Sequence, residues 1–560
     1  MKKNLVLSTY ILLFFSLMSG CKKGFLNEEP KAIIAPDNLY VDKAGFEAGL
    51  YGLYYLVRSE RMGINGGYND IASTAAIIGV DNAYSLYPAG GAAESVFNDF
   101  GTRLNSTSAY ITNLWAWLYK TINAANTIID RSENADINWS DTEKGQIVGE
   151  ARLIRAWAYR HLSYLYGPVP LTLHESSGGN IRTDWERAPV AEVRKAMEED
   201  WLFAEANMAP LPVLEGRASS MVASHYLAEL YLAMGENQKA KEKAMLVVNN
   251  VNYKLITQRY GVQATKGGTA FTDMFIDGNS NRAEGNTEVL WTFQNEYLST
   301  GGEVNIMRRW WVNRYNTIKV NNKTPVTYSK ENGGRGIGRF GATKYAFNVY
   351  GPGDERNSGY AFRYYWIMNN KASLPSGSKP VATCASPGYS GSQLGDTVFL
   401  SVDCDEPAPS AATAQNWPNT RKWDWAPDDL NDIENASGYN DQIYLRLAET
   451  YLLLAEAQYK SGDADGAAAS INALRNRAHA TPVEPGEITI DYILDERSRE
   501  LFSEEHRRYT LLRTGTWFSR TKQYNLYSGK LIALRDSLLP IPQAVIDANL
   551  TKVMPQNGGY

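Results

Sequence analysis

The same pattern of apolar residues, glycine and alanine occurs twice, in residues 223–244, ASHYLAELYLAMGENQKAKEKA, and in residues 443–467, IYLRLAETYLLLAEAQYKSGDADGA. In each, apolar residues recur with helical spacing until a glycine, Gly235 or Gly462, and an alanine follows five positions later. Glycine closes a helix in the left-handed conformation, and a small residue lets the next helix approach closely. The pattern predicts two helix–turn–helix units whose helices pack in pairs.

Other runs with helical spacing lie at 115–131, 150–166, 190–206 and 493–505. Helix pairs of this kind resemble degenerate tetratricopeptide units, which bury their faces only by stacking on neighbours. The predicted fold class is therefore mainly α, a tetratricopeptide-like helical-repeat scaffold. In the last run, the spacing of Arg and Glu side chains at three and four residues predicts salt bridges of the scaffold rather than catalytic carboxylates.

The middle of the chain has a different composition. Residues 253–440 are rich in Gly, Asn, Pro and aromatic residues and contain few long periodic runs. We predict a large, irregular, loop-rich region with a few short strands, folded onto the helical scaffold. The predicted division is a signal peptide at 1–20, scaffold at 21–252 and at 441–560, and this irregular region between them.

The N-terminus has the pattern of an export signal. Lys2 and Lys3 precede an apolar run at 5–17, which is too short to span a bilayer because spanning needs about 20 apolar residues. The run ends in Leu17-Met18-Ser19-Gly20-Cys21, which resembles a bacterial lipobox. We expect Cys21 to carry a covalent lipid, so that the mature protein is anchored to a membrane without spanning it.

The composition argues against nucleic acid as the main partner and leaves open whether the chain contains a disulfide. The 560-residue chain has a net charge of −5, whereas a protein that mainly binds nucleic acid needs a basic face. Apart from Cys21, the cysteines are Cys384 and Cys404. Export would permit a disulfide between them, and two free thiols are the alternative.

Six further motifs, in this order along the chain, resemble the RagB/SusD family of outer-membrane nutrient-binding lipoproteins. They are Cys21 with Phe25-Leu26 and Pro30; Gly149 to Tyr159 with Tyr166-Gly167-Pro168; Glu288-Val289-Leu290-Trp291; Leu445 to Glu449 with Arg475-Asn476-Arg477; Glu496 to Leu501; and Leu539-Pro540-Ile541-Pro542. The resemblance runs from Cys21 to Tyr560. It implies a non-catalytic lipoprotein of the outer membrane that faces the cell exterior.

The same resemblance implies a ligand and a partner protein. We expect it to capture an oligosaccharide and deliver it to a SusC-like TonB-dependent β-barrel transporter. Peptide capture on the same scaffold is an alternative, and a glycan-degrading enzyme is a further one. A glycosidase would need two carboxylates at a set separation, which the sequence does not locate.

Sugars stack their C–H faces on aromatic rings and pair their hydroxyls with polar side chains. In this family the glycan sites lie in an early loop and in the central region, so we predict a binding site there. Its residues are Asp81, Asn82, Tyr84, Tyr297, Trp310, Trp311 and Tyr315. Ordinary core packing is the alternative for each single aromatic ring.

No catalytic residue, metal site or non-covalent cofactor is predicted. The five histidines are scattered, and no H-E-x-x-H motif occurs. The carboxylates of Asp424, Asp428, Asp429 and Asp432 have the oxygen chemistry that calcium prefers, but they lack an EF-hand pattern and are better explained by a solvated acidic loop.

Overall fold

A computed structural model describes residues 35–64, 71–87, 93–177, 182–296, 299, 301–302, 306–383, 386–403, 405–424 and 438–560. The long helices are α1 Lys43–Met62, α2 Ala109–Arg131, α3 Asp141–Tyr166, α4 Val190–Asn207, α5 Ser220–Met234, α6 Asn237–Val248, α7 Leu447–Lys460, α8 Ala464–Arg477, α9 Ile490–Leu501, α10 Arg507–Arg513 and α11 Trp517–Tyr524. Shorter helical segments lie before, between and after them, at Pro36–Leu39, Thr74–Ile77, Ala93–Val96, Phe100–Arg103, Ala270–Asp273, Met307–Trp311, Lys344–Asn348, Thr413–Asn416, Ser528–Leu531 and Gln543–Ala548.

Local sequence explains where these helices start and stop. Helix α3 begins at a capping box, in which the Ser140 side chain accepts from the Glu143 N–H while the Glu143 carboxylate accepts from the Ser140 N–H. Gly235 closes α5 with φ = 81°, as the sequence predicts. Helix α9 begins three residues before the predicted run and ends four residues before that run does, at Leu501, and the chain turns just beyond at Ser503, where φ is 69°.

The helices stack in chain order. Each helix from α1 to α6 packs against the next, and α7 packs against α8 and α9. Helix α6 also packs against α7, although 198 residues of sequence separate them. The prediction of a mainly α, tetratricopeptide-like scaffold is confirmed.

The strands are short. They are β1 Ala83–Ser85, β2 Val289–Phe293, β3 Phe340–Ala342, β4 Phe362–Arg363, β5 Tyr365–Ile367, β6 Gly388–Tyr389, β7 Thr397–Phe399, β8 Asn419–Thr420 and β9 Gln442–Arg446. The antiparallel pairs are β1–β3, β2–β9, β4–β8 and the three-stranded order β5–β7–β6. Strand β9 leads directly into α7, so its pairing with β2 ties the central region to the scaffold. The division of the chain into three parts stays a prediction.

A buried network of charges joins the elements. The Glu500 carboxylate of α9 pairs with Arg356, Arg446 and Arg477, and all four side chains are almost fully buried. Sequence spacing suggests pairs within α9, and Arg499–Glu496 is one of them. Most partners, however, come from other elements. The described helices include none that is long and apolar enough to cross a membrane.

Candidate functional site

The predicted early-loop residues lie inside the protein. The Asp81 carboxylate is fully buried and accepts from Arg507 Nε at 2.8 Å, Arg507 Nη2 at 2.7 Å and Arg520 Nε at 2.9 Å. Burial alone would raise the pKa of Asp81, but the two arginines lower it. Asn82 Nδ2 donates to the Ser498 hydroxyl, and the buried Tyr84 hydroxyl donates to a backbone carbonyl. None of the three side chains presents a surface to a ligand, so the exposure that the prediction required is absent.

The predicted central aromatics are core residues as well. Trp310 and Trp311 are each 1% exposed, and Tyr315 is fully buried. The Trp310 ring lies 5.2 Å from Phe340, and the Trp311 ring packs edge-on against Phe340 and Phe502. The prediction that these rings are open for stacking is wrong, because tertiary packing buries all three of them.

Other predicted residues lie outside the described part of the chain. These are Cys21, Tyr297, Cys384 and Cys404, together with Asp428, Asp429 and Asp432 of the acidic run. Lipidation, disulfide formation and any role of Tyr297 therefore stay predictions.

A cavity of about 470 Å³ lies between α1 and the segment that follows β2. We call it the Tyr51 cavity. It is lined by Tyr51, Gly52, Tyr54, Tyr55, Arg58, Leu214, Glu215, Gly216, Arg217, Gln294 and Gly301. Its volume is within the range of small-molecule sites in proteins, about 300–1,000 Å³.

Two tyrosine rings of α1 are exposed at this cavity. Tyr51 is 55% exposed and Tyr55 is 38% exposed. They stand four residues apart, so they share one face of the helix. The opposite face, with Leu50 and Leu53, is buried in the core. The helix therefore holds two aromatic faces toward solvent on a rigid support.

The polar groups of the Tyr51 cavity are fixed by the protein, and a few acceptors remain open. Arg58 donates to the backbone carbonyls of Gln294 and Gly301, which holds the two walls together. Burial alone would lower the pKa of Arg217, but its hydrogen bonds to Glu150 raise it, so this guanidinium stays charged. One carboxylate oxygen of Glu215 accepts from the Ala283 N–H. Among the described residues, the other Glu215 oxygen and Gln294 Oε1 have no hydrogen-bond partner.

A group of carboxylates lies beyond Gln294, which donates to Asn281, and Asn281 in turn donates to Asp441. Burial, assisted by Asp441 and Glu284, raises the pKa of Asp277 to about 6. Glu215 and Glu284 in turn act on Asp441, whose pKa is also raised, mainly by burial. Apart from Glu215, these carboxylates do not line the cavity itself, whose charged lining residues are Arg58, Arg217 and Glu215.

A larger cavity, of about 520 Å³, lies between α2 and the C-terminal segment and includes Trp115, Tyr119 and Trp185. The side-chain amides in its lining are already hydrogen-bonded. Asn123 donates to the backbone carbonyl of Ser176 and accepts from its N–H, and Asn549 does the same with Trp185. A ligand rich in hydroxyls would find few partners there, so this cavity is the poorer candidate.

In the described part of the chain, Glu60, His161 and His506 form one group with the spacing of a metal site. Arg160 Nη1 lies 2.9 Å from His506 Nδ1, so that nitrogen must accept. His506 Nε2 therefore carries the proton and donates to Glu60 at 2.6 Å. A metal on Nε2 would require a ring without any proton, so the geometry favours a buried hydrogen-bond network.

The sequence contained a signal for Tyr51 and Tyr55. Helix α1 carries tyrosines at 51, 54 and 55, and only Tyr54 lies on the face of Leu50, Leu53 and Val57. Large rings on the polar face of an amphipathic helix are left exposed.

Comparison with known proteins gives matches along most of the chain. A family model described as the SusD family matches residues 265–560, and one described as starch-binding associating with outer membrane matches residues 84–232. SusD-like protein P25 of Formosa agariphila is 24% identical over 98% of both chains. The starch-binding protein SusD of Bacteroides thetaiotaomicron is 34% identical over 25% of each chain.

Solved structures give the same fold. A laminarin-binding SusD-like protein superposes with a TM-score of 0.66 at 19% identity, covering 92% of this chain and 99% of its own. Since the SusD family model matches more than half of the sequence, the chain belongs to the SusD family of non-catalytic, carbohydrate-binding proteins associated with the outer membrane.

Proposed function

We propose that this protein captures an oligosaccharide at the cell surface, with the Tyr51 cavity as its binding platform, and delivers it to a SusC-like TonB-dependent transporter. The lipid on Cys21 would hold it on the exterior face of the outer membrane. Family membership supports carbohydrate binding, and the similar laminarin-binding protein supports a glycan as the ligand.

The observation that carries the proposal is the pair of exposed tyrosine faces beside open acceptors. Stacking one sugar face hides on the order of 100 Å² of apolar surface, which is worth about 2.5 kcal/mol. Two stacks, less the cost of immobilising the ligand, give weak binding. Weak binding suits a protein that must release its ligand to a partner.

Replacing Tyr51 with alanine should weaken glycan binding by roughly 1–3 kcal/mol, about 5- to 150-fold, because one stacking face is lost. The melting temperature should stay nearly unchanged, since the ring is more than half exposed. Calorimetry against a panel of oligosaccharides and peptides measures the first effect, and thermal unfolding monitored by circular dichroism measures the second.

Tyr365 offers a matched control. It lies on β5, its ring is 37% exposed, and it does not line the Tyr51 cavity. Tyr365→Ala should leave binding unaltered. Equal losses in both variants, or tight binding of peptides with none of glycans, would count against this platform.

Replacing Cys21 with alanine should release the protein from the membrane fraction, because the thiol that accepts the lipid is gone. Fractionation followed by immunoblotting measures the distribution. Cys404→Ala is the control and should stay with the membrane. Retention of Cys21→Ala in outer-membrane fractions at the normal level would refute the anchor.

A further inference from the structure

A separate cavity of about 490 Å³ lies where α11, the turn Lys344–Asn348 and the segment at 405–406 meet. We call it the Tyr345 cavity. It is lined by Lys344, Tyr345, Asn348, Val349, Asp405, Glu406, Asp495, Gln523, Tyr524 and Leu526. It shares no residue with the Tyr51 cavity.

A pair of tyrosines is held rigidly at this cavity. The rings of Tyr345 and Tyr524 stack with centroids 4.3 Å apart and planes 24° apart. The Tyr345 hydroxyl donates to Asp495 at 2.6 Å and accepts from Arg520 at 2.6 Å. Arg520 is itself fixed by the buried Asp81 carboxylate. Asp81 therefore supports this cavity from behind instead of touching a ligand.

The two walls are joined by a buried carboxylate. Glu406 is 3% exposed and accepts from the backbone N–H groups of Lys344 at 2.8 Å and Leu526 at 2.6 Å. Burial raises the pKa of Glu406 to about 7. These contacts hold the cavity open in one shape, so binding there would require little rearrangement.

Four side chains at the rim are uncommitted. Within the described part of the chain, the side chains of Lys344, Asn348, Asp405 and Gln523 make no hydrogen bond or ion pair. Two amides, a carboxylate and an ammonium offer both donors and acceptors. A sugar hydroxyl needs one of each at once, so this set matches a polyhydroxylated ligand.

The charges narrow the ligand class. Arg520 is fully used by Asp81, Asp491 and Asp495. Lys344 is the uncommitted cation among the described lining residues, which also include the acidic residues Asp405, Asp495 and Glu406. Even without Glu406, Asp405 and Asp495 outnumber Lys344 in the lining, which disfavours ligands with carboxylates or sulfates.

We propose that the Tyr345 cavity is a second carbohydrate-binding site and that it takes neutral sugar residues. The proposal rests on the proposed function, because it assumes that the protein captures glycans. Two sites on one rigid chain would hold a long polysaccharide more firmly than either alone, because the second contact becomes intramolecular.

The test isolates the second site by removing the first. The mature lipidated protein in detergent, carrying Tyr51→Ala and Tyr55→Ala, is titrated calorimetrically with neutral laminari-, manno- and xylo-oligosaccharides. Residual binding of one of these neutral probes is expected. Adding Asn348→Ala and Gln523→Ala should weaken it at least tenfold with no change in melting temperature. Gln258, exposed and outside every cavity described above, supplies the control Gln258→Ala.

The outcomes of this test separate the second site from the proposed function. Residual binding that persists after Asn348→Ala and Gln523→Ala are added overturns the second site. A Tyr51→Ala and Tyr55→Ala protein that binds no probe, when the wild type does, overturns it as well. Both results leave the proposal of glycan capture intact. If Tyr51→Ala and Tyr55→Ala leave glycan affinity at the wild-type level, and Asn348→Ala with Gln523→Ala abolishes it, the Tyr345 cavity is supported. Glycan capture is then assigned to that cavity and not to the Tyr51 cavity. A wild type that binds no probe in the panel refutes both proposals.

The preference for neutral sugars has its own test. In the same Tyr51→Ala and Tyr55→Ala background, alginate oligosaccharides, which are chains of uronic acids, should bind at least tenfold more weakly than the best neutral probe. Asp405→Asn should reduce that ratio because it removes an uncommitted negative charge. Equal affinity for neutral and uronic probes, or preference for the uronic ones, overturns the assignment of ligand class.

Discussion

Replacing Glu500 with alanine should lower the free energy of unfolding by about 3–5 kcal/mol, because it removes a buried carboxylate that three buried arginines share. Glu500 Oε2 accepts from Arg356 at 2.9 Å, and Oε1 accepts from Arg446 at 2.5 Å and from Arg477. The substitution therefore removes one carboxylate partner from each of three buried guanidinium groups. Urea unfolding followed by circular dichroism measures the loss.

The control is Glu133→Ala, which removes a carboxylate that is 75% exposed and paired with Lys144. Exposed pairs are worth about 0–1 kcal/mol. If Glu500→Ala cost no more than this control, the buried network would not be the stabilising element that its geometry indicates.

The Glu500 carboxylate also predicts acid sensitivity. Burial alone would raise its pKa, but Arg477, Arg446 and Arg356 lower it well below the ordinary 4.5. A group whose pKa is depressed on folding stabilises the fold above its unfolded pKa and loses that effect as the pH falls. The wild type should therefore lose stability below about pH 4.5, and Glu500→Gln should show a shallower acid limb.

Replacing Trp311 with alanine should also lower the free energy of unfolding by about 3–5 kcal/mol, because it opens a cavity in the core. The ring lies between Phe340 and Phe502, with both ring centroids 5.4 Å away. The melting temperature of Trp311→Ala is the measurement, with Tyr51→Ala as the exposed aromatic comparison. A Trp311→Ala protein that melted normally but had lost glycan binding would restore Trp311 to the binding site and refute its place in the core.

Periodic parts of this sequence predict their own structure, and the reason is local. Gly235 and Gly462 adopt the left-handed conformation that their helix ends need, with φ of 81° at both. Such signals act over a few residues, so no knowledge of the fold is required. The same holds for the capping box at Ser140 and Glu143.

The exposure of the candidate site residues was predicted less well, because exposure is a property of tertiary structure. Abundant aromatics in an irregular region suggested stacking surfaces, but loops can build a core of their own. Tyr315 and Trp366 belong to such a core, which is separate from the helical one. Asp81 has the composition of a ligand contact, and its actual partner, Arg507, lies 426 residues further along the chain.

The buried polar contacts between the two chain ends have a consequence for folding. Glu60 meets His506 across 446 residues, and Asp81 meets Arg507 across 426. A chain emerging from its N-terminus holds these buried carboxylates without partners until nearly all of it has been made. Native contacts between residues this distant in sequence form slowly, and incomplete chains expose apolar surface that aggregates. The protein should therefore depend on chaperones that keep it unfolded in transit, and a truncation before residue 507 should abolish folding of the N-terminal half as well.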